Sequence, residues 1–232
     1  MPGLQRLPLT QHPGGLPDAF LLPFDAADGS DAHFARFGIA CPPSVARSVP
    51  KRRAEYLAGR RVAVAALADA GSAAADLAIA PSRAPAWPTG FTGSISHAAG
   101  MAAAVVLREG ALRGVGIDIE RVVAAGAFDA IVQSVVDAAE QRALDVLARR
   151  LGWPMALTIA FSAKESFYKA TAGEVGRIFD FGALRIVGVE QAAIEAETTE
   201  ALAPSLPAGM RFKLGFSLLD DATAVTSCAW MR

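Results

Sequence analysis

Hydrophobic and polar residues alternate strictly along residues 114–120, which is the period of a β-strand. One face of this segment carries Val115, Ile117 and Ile119. The opposite face carries Gly116, Asp118 and Glu120. The pattern predicts a half-buried strand whose polar face presents two carboxylates in the same direction.

The remaining apolar periodicities predict further helices and strands. One helix begins at Pro50, with Ser48 as its expected cap, and continues to a stop at Gly71. Two more helices are expected over Val136–Leu151 and about Ile159–Ala172, with strands over Met101–Leu107, Leu184–Val189 and Phe212–Leu218. The first 45 residues are rich in Pro and Gly and predict short strands within loops, and residues 80–92 predict a loop.

The composition is typical of a folded globular protein. Of 232 residues, 53% are apolar and 19% are charged, and the mean hydropathy is positive. This length allows one large domain or two small ones. A boundary near Leu112–Gly114 divides the predicted elements into two α/β halves, residues 1–112 and residues 113–232. We therefore expect two subdomains within one chain.

The charge balance and the cysteine count exclude several classes of protein. With 22 basic and 23 acidic residues the net charge is −1, so we expect no binding of nucleic acid or membrane through bulk charge. No apolar stretch approaches the roughly 20 residues of a membrane helix, and no targeting segment is recognised at the start. Cys41 and Cys228 form no C-x-x-C pair, which argues against zinc cages, iron–sulfur clusters and disulfide frameworks. We expect a soluble, cytoplasmic monomer.

The polar face of the predicted strand is the first candidate site. Residues two apart on a strand point the same way, about 6.5 Å apart along the chain, so Asp118 and Glu120 can converge on one divalent ion. Gly116 on that face allows a ligand or another backbone to approach closely. The alternative is an edge strand with a solvated face.

The segment F-S-A-K-E-S-F-Y-K at residues 161–169 is the second candidate. Glu165 and Lys169 lie one helical turn apart, in the order that favours an exposed ion pair. The chain has only four lysines, and two of them, Lys164 and Lys169, flank this carboxylate. The same residues would suit a metal-bridged phosphate, in which the carboxylate holds the cation and the ammonium groups neutralise phosphate oxygens.

Residues 51–61 form a basic cluster, with five Lys and Arg among eleven residues. On a helix, Arg53 lies about 20° from Arg60 and Arg52 lies about 80° from it, so two guanidinium groups can hold one phosphate. The alternative is a solvated basic face.

A fourth segment, residues 87–97, ends in S-I-S-H. Adjacent residues in an extended chain point to opposite faces, and neither Ser94 nor Ser96 lies in G-x-S-x-G, so a serine hydrolase is disfavoured. Three histidines in the whole chain make a three-histidine metal site implausible. His97 is therefore a hydrogen-bond donor to an anion or a structural residue. The standard nucleotide-binding motifs G-x-x-x-x-G-K-[ST] and G-x-G-x-x-G are absent.

Together, the four segments resemble one family. A basic helix, W-P-x-G…S-x-S-H, G-x-G-I-D-x-E and F-S-A-K-E-S-x-x-K follow in the order found in 4′-phosphopantetheinyl transferases. F-S-A-K-E-S is similar to the enterobactin-synthetase branch of the long, single-chain type, which is associated with siderophore, nonribosomal peptide and polyketide synthesis. The resemblance implies an α+β fold, a pseudo-dimer of two similar α/β subdomains, with coenzyme A and Mg²⁺ in the cleft between them.

The resemblance also implies roles for individual residues. The family's metal ligands correspond to Asp118, Glu120 and Glu165, and its catalytic lysine, which also meets the pyrophosphate of coenzyme A, corresponds to Lys169. The positions that hold the 3′-phosphate correspond to Arg52, Arg60 and His97, with further nucleotide and phosphate contacts at Arg83 and Ser96. Helix geometry prefers Arg53 to Arg52 as the partner of Arg60, so the choice between these two stays open.

The implied reaction transfers phosphopantetheine from coenzyme A to a serine of an apo acyl or peptidyl carrier protein and leaves adenosine 3′,5′-bisphosphate. Mg²⁺ (or Mn²⁺) and Lys169 would neutralise the pyrophosphate. The base that accepts the serine proton is Glu165, Glu140 or a metal-bound water. Two rivals stay open, namely an inactive homologue that only binds coenzyme A or a carrier, and another Mg²⁺-dependent enzyme acting on a nucleotide diphosphate.

Overall fold

The computed structural model of the chain describes residues 3–9, 11–80, 84–110, 112–124, 126 and 128–232. The chain folds into two compact units, the first comprising Met1–Leu9 and Pro17–Gly110 and the second Thr10–Leu16 and Ala111–Arg232. Each unit contains an antiparallel sheet with a long helix packed on it. The expected α+β fold of two sheet-and-helix subdomains is confirmed.

The first unit has a four-stranded sheet in the order β1-β2-β4-β3. Its elements are β1 (Gln5–Leu7), β2 (Ala19–Pro23), a 3-10 turn (Ala26–Gly29), α1 (Asp31–Phe37), α2 (Pro43–Ala46), α3 (Pro50–Asp69), β3 (Phe91–Ala98) and β4 (Met101–Arg108). Helix α3 packs on the three strands β2, β3 and β4 and buries an aliphatic core with them. Gly59 permits this packing, because a Cβ there would lie 3.1 Å from Cγ2 of Ile95 on β3.

The local signals of the first unit are only partly those expected. Helix α3 begins at Pro50 as predicted, but its N-cap is Val49, and the Ser48 hydroxyl donates to the Ser44 carbonyl instead of capping α3. Helix α1 lies in the region expected to hold only strands and loops. Ser30 caps its N-terminus and the left-handed Gly38 ends it. These are start and stop signals of a helix, and apolar periodicity alone does not detect them.

The second unit has a five-stranded sheet in the order β5-β9-β8-β7-β6. Its elements are β5 (Leu112–Arg121), α4 (Phe128–Val135), α5 (Ala138–Leu151), α6 (Trp153–Val175), a 3-10 turn (Phe181–Ala183), β6 (Leu184–Glu190), β7 (Ala193–Thr198), β8 (Arg211–Asp220) and β9 (Thr223–Met231). Strands β7 and β9 were not expected. The break between α4 and α5 falls where Asp137 caps α5, so the helix expected from Val136 begins two residues later.

Strand β5 and helix α6 approach each other unusually closely. A Cβ at Gly116 would lie 1.8 Å from the carbonyl oxygen of Ser166, and one at Gly114 would lie 1.9 Å from that of Ala170. Glycine is therefore required at both positions by a neighbouring backbone. This contact buries the face of β5 that carries Asp118, so residues 114–119 are buried on both faces. The predicted half-buried strand is wrong in this respect, and so is the solvated face of the alternative.

A short segment near the N-terminus belongs to the second unit. The imidazole Nδ1 of His12 lies 2.6 Å from the Ser227 hydroxyl of β9, and its ring covers Gly215 of β8. The predicted division into residues 1–112 and 113–232 did not place residues 10–16 in the second unit. Among the described residues, no helix is long and apolar enough to cross a membrane.

Candidate functional site

An acidic cluster lies where α6 crosses β5. Lys169 Nζ on α6 donates a 2.7 Å hydrogen bond to Asp118 Oδ1 on β5 and a 3.2 Å bond to the Ile117 carbonyl. The Asp118 side chain is buried, whereas Lys169 is partly exposed. Lys169 thus forms a tertiary ion pair with the strand. The sequence had predicted only a local pair between Lys169 and Glu165.

Electrostatic coupling shows that Glu120 and Glu165 belong to the same cluster. The pKa of Glu120 is raised to about 7, mainly by burial and also by the negative charges of Asp118 and Glu165, while Lys169 opposes the shift. Burial and the charge of Asp118 also raise the pKa of Glu165. The three carboxylates therefore repel one another around a single ammonium group, and additional positive charge would stabilise them.

The donor chemistry of this cluster fits Mg²⁺ or Mn²⁺. Among the described residues, no group of three or more His, Cys, Asp and Glu side chains is arranged so as to hold a metal ion as it stands. Mg²⁺ does not need such a cage, because proteins usually bind it through one or two carboxylates together with water and substrate phosphates. The hard oxygen donors of Asp118, Glu120 and Glu165 are of the required type.

A basic group lies on the first unit, where α3 faces β3. Arg52 Nη1 lies 3.0 Å from His97 Nε2 and 3.4 Å from a carboxylate oxygen of Glu55. The same Glu55 oxygen lies 3.9 Å from His97 Nδ1. The Arg52 side chain is about half exposed, so its guanidinium is accessible to an anion. The structure therefore brings together Arg52 and His97, two of the residues expected at the 3′-phosphate.

Two of the other three arginines of this helix, Arg53 and Arg60, are already engaged with the protein. Arg53 donates to the carbonyls of Gly29 and Ala46 and forms an ion pair with Asp31. Arg60 is buried, donates to the Leu77 carbonyl, and stacks on Tyr56 with its guanidinium carbon 4.6 Å from the ring centroid. The preference for Arg53 that helix geometry suggested is thus offset by tertiary contacts, which leave Arg52 as the more accessible guanidinium.

One further expected contact, Ser96, is not brought to this group. Ser96 lies on β3 beside His97, and neighbouring strand residues point to opposite faces, so its side chain is buried away from the face of His97. Arg83 lies outside the described residues.

Two family models match the chain, and both describe the same family. The model of the 4′-phosphopantetheinyl transferase N-terminal domain matches residues 42–107, which include Arg52 and His97. The model of the 4′-phosphopantetheinyl transferase superfamily matches residues 114–209, which include the whole acidic cluster. The chain belongs to the 4′-phosphopantetheinyl transferases.

Individual members of the family are similar over part of their length. Enterobactin synthase component D from Salmonella typhi is 45% identical over 125 residues, which are 54% of this chain and 50% of that protein. The corresponding protein of Escherichia coli K12 is 40% identical over 121 residues, 52% of this chain and 55% of its own. The 4′-phosphopantetheinyl transferase PptT from Mycobacterium tuberculosis is 40% identical over 135 residues, 55% of each chain. The chain thus spans about half the length of these curated relatives.

In the second unit, Lys164 and Glu140 are removed from solvent. Lys164 Nζ lies 2.6 Å from Glu140 Oε1, and their side chains are 1% and 5% exposed. Burial lowers the pKa of Lys164, and the charge of Glu140 opposes that shift. This geometry argues against Glu140 as the base, because its carboxylate is held in an interior ion pair. It likewise argues against Lys164 as a phosphate ligand, which the spacing of the lysines had favoured.

The second unit also has a cavity of about 250 Å³ beside α6, which the sequence analysis missed. Glu165 and Tyr168 line one side, and residues 178–181 line the other. Four of its nine lining residues are aromatic, and the ring centroids of Tyr168 and Phe179 lie 4.9 Å apart. The sequence signal for it is the run Ile178-Phe179-Asp180-Phe181, which follows the left-handed Gly176 at the end of α6. The cavity adjoins Glu165 and therefore the acidic cluster.

Proposed function

We propose that this chain transfers 4′-phosphopantetheine from coenzyme A to a serine of an apo acyl or peptidyl carrier protein in the presence of Mg²⁺. The serine oxygen forms a bond to the phosphorus that carries pantetheine, and the bond from that phosphorus to the bridging oxygen breaks. The leaving group is adenosine 3′,5′-bisphosphate. The observation that carries the proposal is the Lys169–Asp118 pair inside a cluster of three coupled carboxylates.

The residues of the second unit would act on the pyrophosphate. Bound Mg²⁺ supplies positive charge to the phosphate oxygens, and Asp118, Glu120 and Glu165 are the side chains that would hold it. Lys169 is positioned by Asp118 to donate a hydrogen bond to an oxygen that gains charge as the leaving group departs. Glu165 is also a candidate acceptor for the serine proton, because its carboxylate lies in the same cluster as Lys169 and also lines the neighbouring cavity.

The residues of the first unit would bind the nucleotide end of coenzyme A. Arg52 presents a half-exposed guanidinium beside the His97 imidazole, and charge-assisted bonds from it suit the dianionic 3′-phosphate. Arg60, stacked on Tyr56, adds a nearby positive charge. These contacts would fix the orientation of the substrate, and positioning of this kind contributes much of the rate in phosphoryl transfer.

The deciding experiment is mass spectrometry of an apo carrier protein after incubation with coenzyme A and Mg²⁺. We expect the mass of the carrier to rise by one phosphopantetheine group, and we expect no gain when a chelator replaces Mg²⁺. Asp118→Asn should reduce the rate by about 100-fold or more, because it removes the charge that positions Lys169. The matched control is Asp221→Asn, in an exposed turn between β8 and β9.

The two rival functions predict different outcomes of the same assay. An inactive homologue would bind coenzyme A without modifying any carrier. A different Mg²⁺-dependent enzyme would release a nucleotide product from coenzyme A or from a nucleotide diphosphate when no carrier is present. Chromatography of the nucleotides in carrier-free reactions separates these two outcomes.

A further inference from the structure

Glu140 and Lys164 form the centre of a buried hydrogen-bond junction. All three protons of the Lys164 ammonium have an acceptor nearby, namely Glu140 Oε1 at 2.6 Å, the Val135 carbonyl at 2.6 Å and the Phe181 carbonyl at 3.1 Å. The Glu140 carboxylate also accepts from the backbone amides of Asp137 at 2.8 Å and Ile186 at 2.9 Å. Both charged groups are thus fully occupied by partners of the protein itself.

The junction connects five parts of the second unit. Lys164 belongs to α6, Val135 ends α4, Glu140 lies in the first turn of α5, Phe181 begins the 3-10 turn, and Ile186 lies in β6. The Asp137 carboxylate completes the junction by accepting from the amide of Glu140, so the N-terminus of α5 is capped from both directions. Such a network is stable only while every member is present.

Two of these contacts hold the far wall of the cavity beside α6. Phe181, whose carbonyl accepts from Lys164, ends the wall formed by residues 178–181, and Ile186, whose amide donates to Glu140, lies two residues beyond Leu184, which also lines the cavity. Successive residues on a helix point about 100° apart, so Lys164 reaches into the junction while Glu165 contributes to the acidic cluster. The position of the wall relative to Glu165 therefore depends on the buried pair.

We infer that Glu140 and Lys164 are positioning residues, and that neither exchanges a proton with substrate. Their ion pair holds residues 178–186, of which 178–181 and Leu184 line the cavity that Glu165 also lines. Only one part of the inference rests on the proposed function, namely the predicted effect of the ion pair on the transfer rate. Its structural part, the holding of the wall, can be measured in the absence of any substrate.

The test compares Glu140→Gln with the double variant Glu140→Gln/Lys164→Met. The single variant leaves the Lys164 charge buried without its counter-ion, and we expect its thermal midpoint to fall by roughly 10 °C. We also expect faster amide hydrogen exchange in residues 178–186 and a loss of about 10- to 100-fold in kcat/KM. The double variant has no buried charge at this junction. Relative to Glu140→Gln, it should therefore regain at least half of the lost thermal midpoint, exchange its amides more slowly and raise kcat/KM about tenfold.

A matched control applies the same two substitutions to an exposed ion pair of the same unit. Lys213 Nζ lies 2.7 Å from Glu190 Oε2, and both side chains are about half exposed. Glu190→Gln/Lys213→Met should move the midpoint by less than about 2 °C and leave kcat/KM unchanged, because exposed pairs contribute little.

A catalytic base would give a different pattern. Both variants lack the Glu140 carboxylate, so a base role predicts that the double variant stays as slow as the single one and that both lose the acidic limb of the pH–rate profile. That result in a folded double variant would overturn the inference. So would unchanged exchange in residues 178–186 of Glu140→Gln, or failure of the double variant to fold. If the wild-type chain transfers nothing, the proposed function fails, while the midpoint and exchange measurements still decide the role of the pair.

Discussion

Gly116 on β5 lies so close to Ser166 on α6 that a Cβ at Gly116 would stand 1.8 Å from the Ser166 carbonyl oxygen. This contact is two residues from Asp118 along the strand and three residues from Lys169 along the helix. The short distance between the two backbones is what lets the Lys169 ammonium reach Asp118 Oδ1 at 2.7 Å. The position of the acidic cluster therefore depends on a residue that has no side chain.

We expect Gly116→Ala to disrupt both stability and the acidic cluster. The added methyl group meets a backbone oxygen that cannot rotate away, so α6 must move from β5, at a cost of about 3 kcal/mol or more in the free energy of unfolding. Denaturant titration measures this loss. The control is Gly173→Ala on the same helix, where a Cβ meets nothing within 4 Å and should stabilise the protein by about 0.5–1 kcal/mol. Equal stability of the two variants would contradict the packing argument.

We expect Arg52, and not Arg53, to recognise the 3′-phosphate. Arg52→Ala should weaken coenzyme A binding by about tenfold or more, since charge-assisted hydrogen bonds contribute roughly 1.5–3 kcal/mol, and should change binding of 3′-dephospho-coenzyme A much less. Arg53→Ala should lower the thermal midpoint, because Gly29, Ala46 and Asp31 lose their partner, yet keep the ratio of the two affinities. Calorimetric titration with both ligands decides between them, and a reversed pattern would assign the phosphate to Arg53.

We expect the N-terminal segment to make stability depend on pH. Burial lowers the pKa of His12 to about 4 from its ordinary value of 6.5. The unfolded chain therefore binds more protons between these two pH values, so the free energy of unfolding should fall as the pH drops from about 6.5 to 4, by about 2–3 kcal/mol. Denaturant titrations across this range measure the slope.

The variants for that measurement are His12→Asn and His33→Asn. Asparagine at position 12 can retain the hydrogen bond to Ser227 but has no proton to gain, so the first variant should lose most of the slope. His33 lies on α1 of the first unit, and its replacement should leave the slope in place. A slope that survives in His12→Asn would mean that other groups cause the pH dependence.

We expect the outer face of α5 to receive the carrier protein. Leu144 and Leu147 are buried in the core of the second unit, while Val146 is 57% exposed and Arg142 and Arg149 lie beside it on the exposed side. The family resemblance implies an acidic carrier, which this face would attract because its two arginines outnumber its one exposed carboxylate, Asp145. Arg142→Glu/Arg149→Glu should therefore raise KM for the carrier, most strongly at low salt, with KM for coenzyme A nearly unchanged.

Arg150 is left out of that double variant because its guanidinium donates to the Gln191 carbonyl and lies over the Phe216 ring. Reversal of its charge would disturb the fold as well as the surface. Arg36→Glu/Arg47→Glu, on exposed positions of the first unit, is the matched control. The docking assignment fails if the KM for the carrier responds equally to both double variants.

Local pattern was sufficient to predict the parts of the fold that depend on neighbouring residues. Strict alternation identified β5, apolar spacing with Pro50 identified α3, and the run Met101–Leu107 identified β4. The same segments carry the motifs of the family, so the family and its α+β fold were also accessible from the sequence. Residues close together in sequence impose these periods, and no distant contact is needed to read them.

The tertiary structure decided everything that depends on which distant residues meet. The alternation around Gly116 is compatible with solvent or with a helix on that face, and only the backbone of α6 makes the face buried. Arg53 has the better helical angle to Arg60, but the carbonyls of Gly29 and Ala46 engage it. Glu140 is a plausible base in the sequence and an interior counter-ion of Lys164 in the fold. In each case the cost of burying a charge or crowding a backbone is set by partners far away along the chain, which residue spacing does not contain.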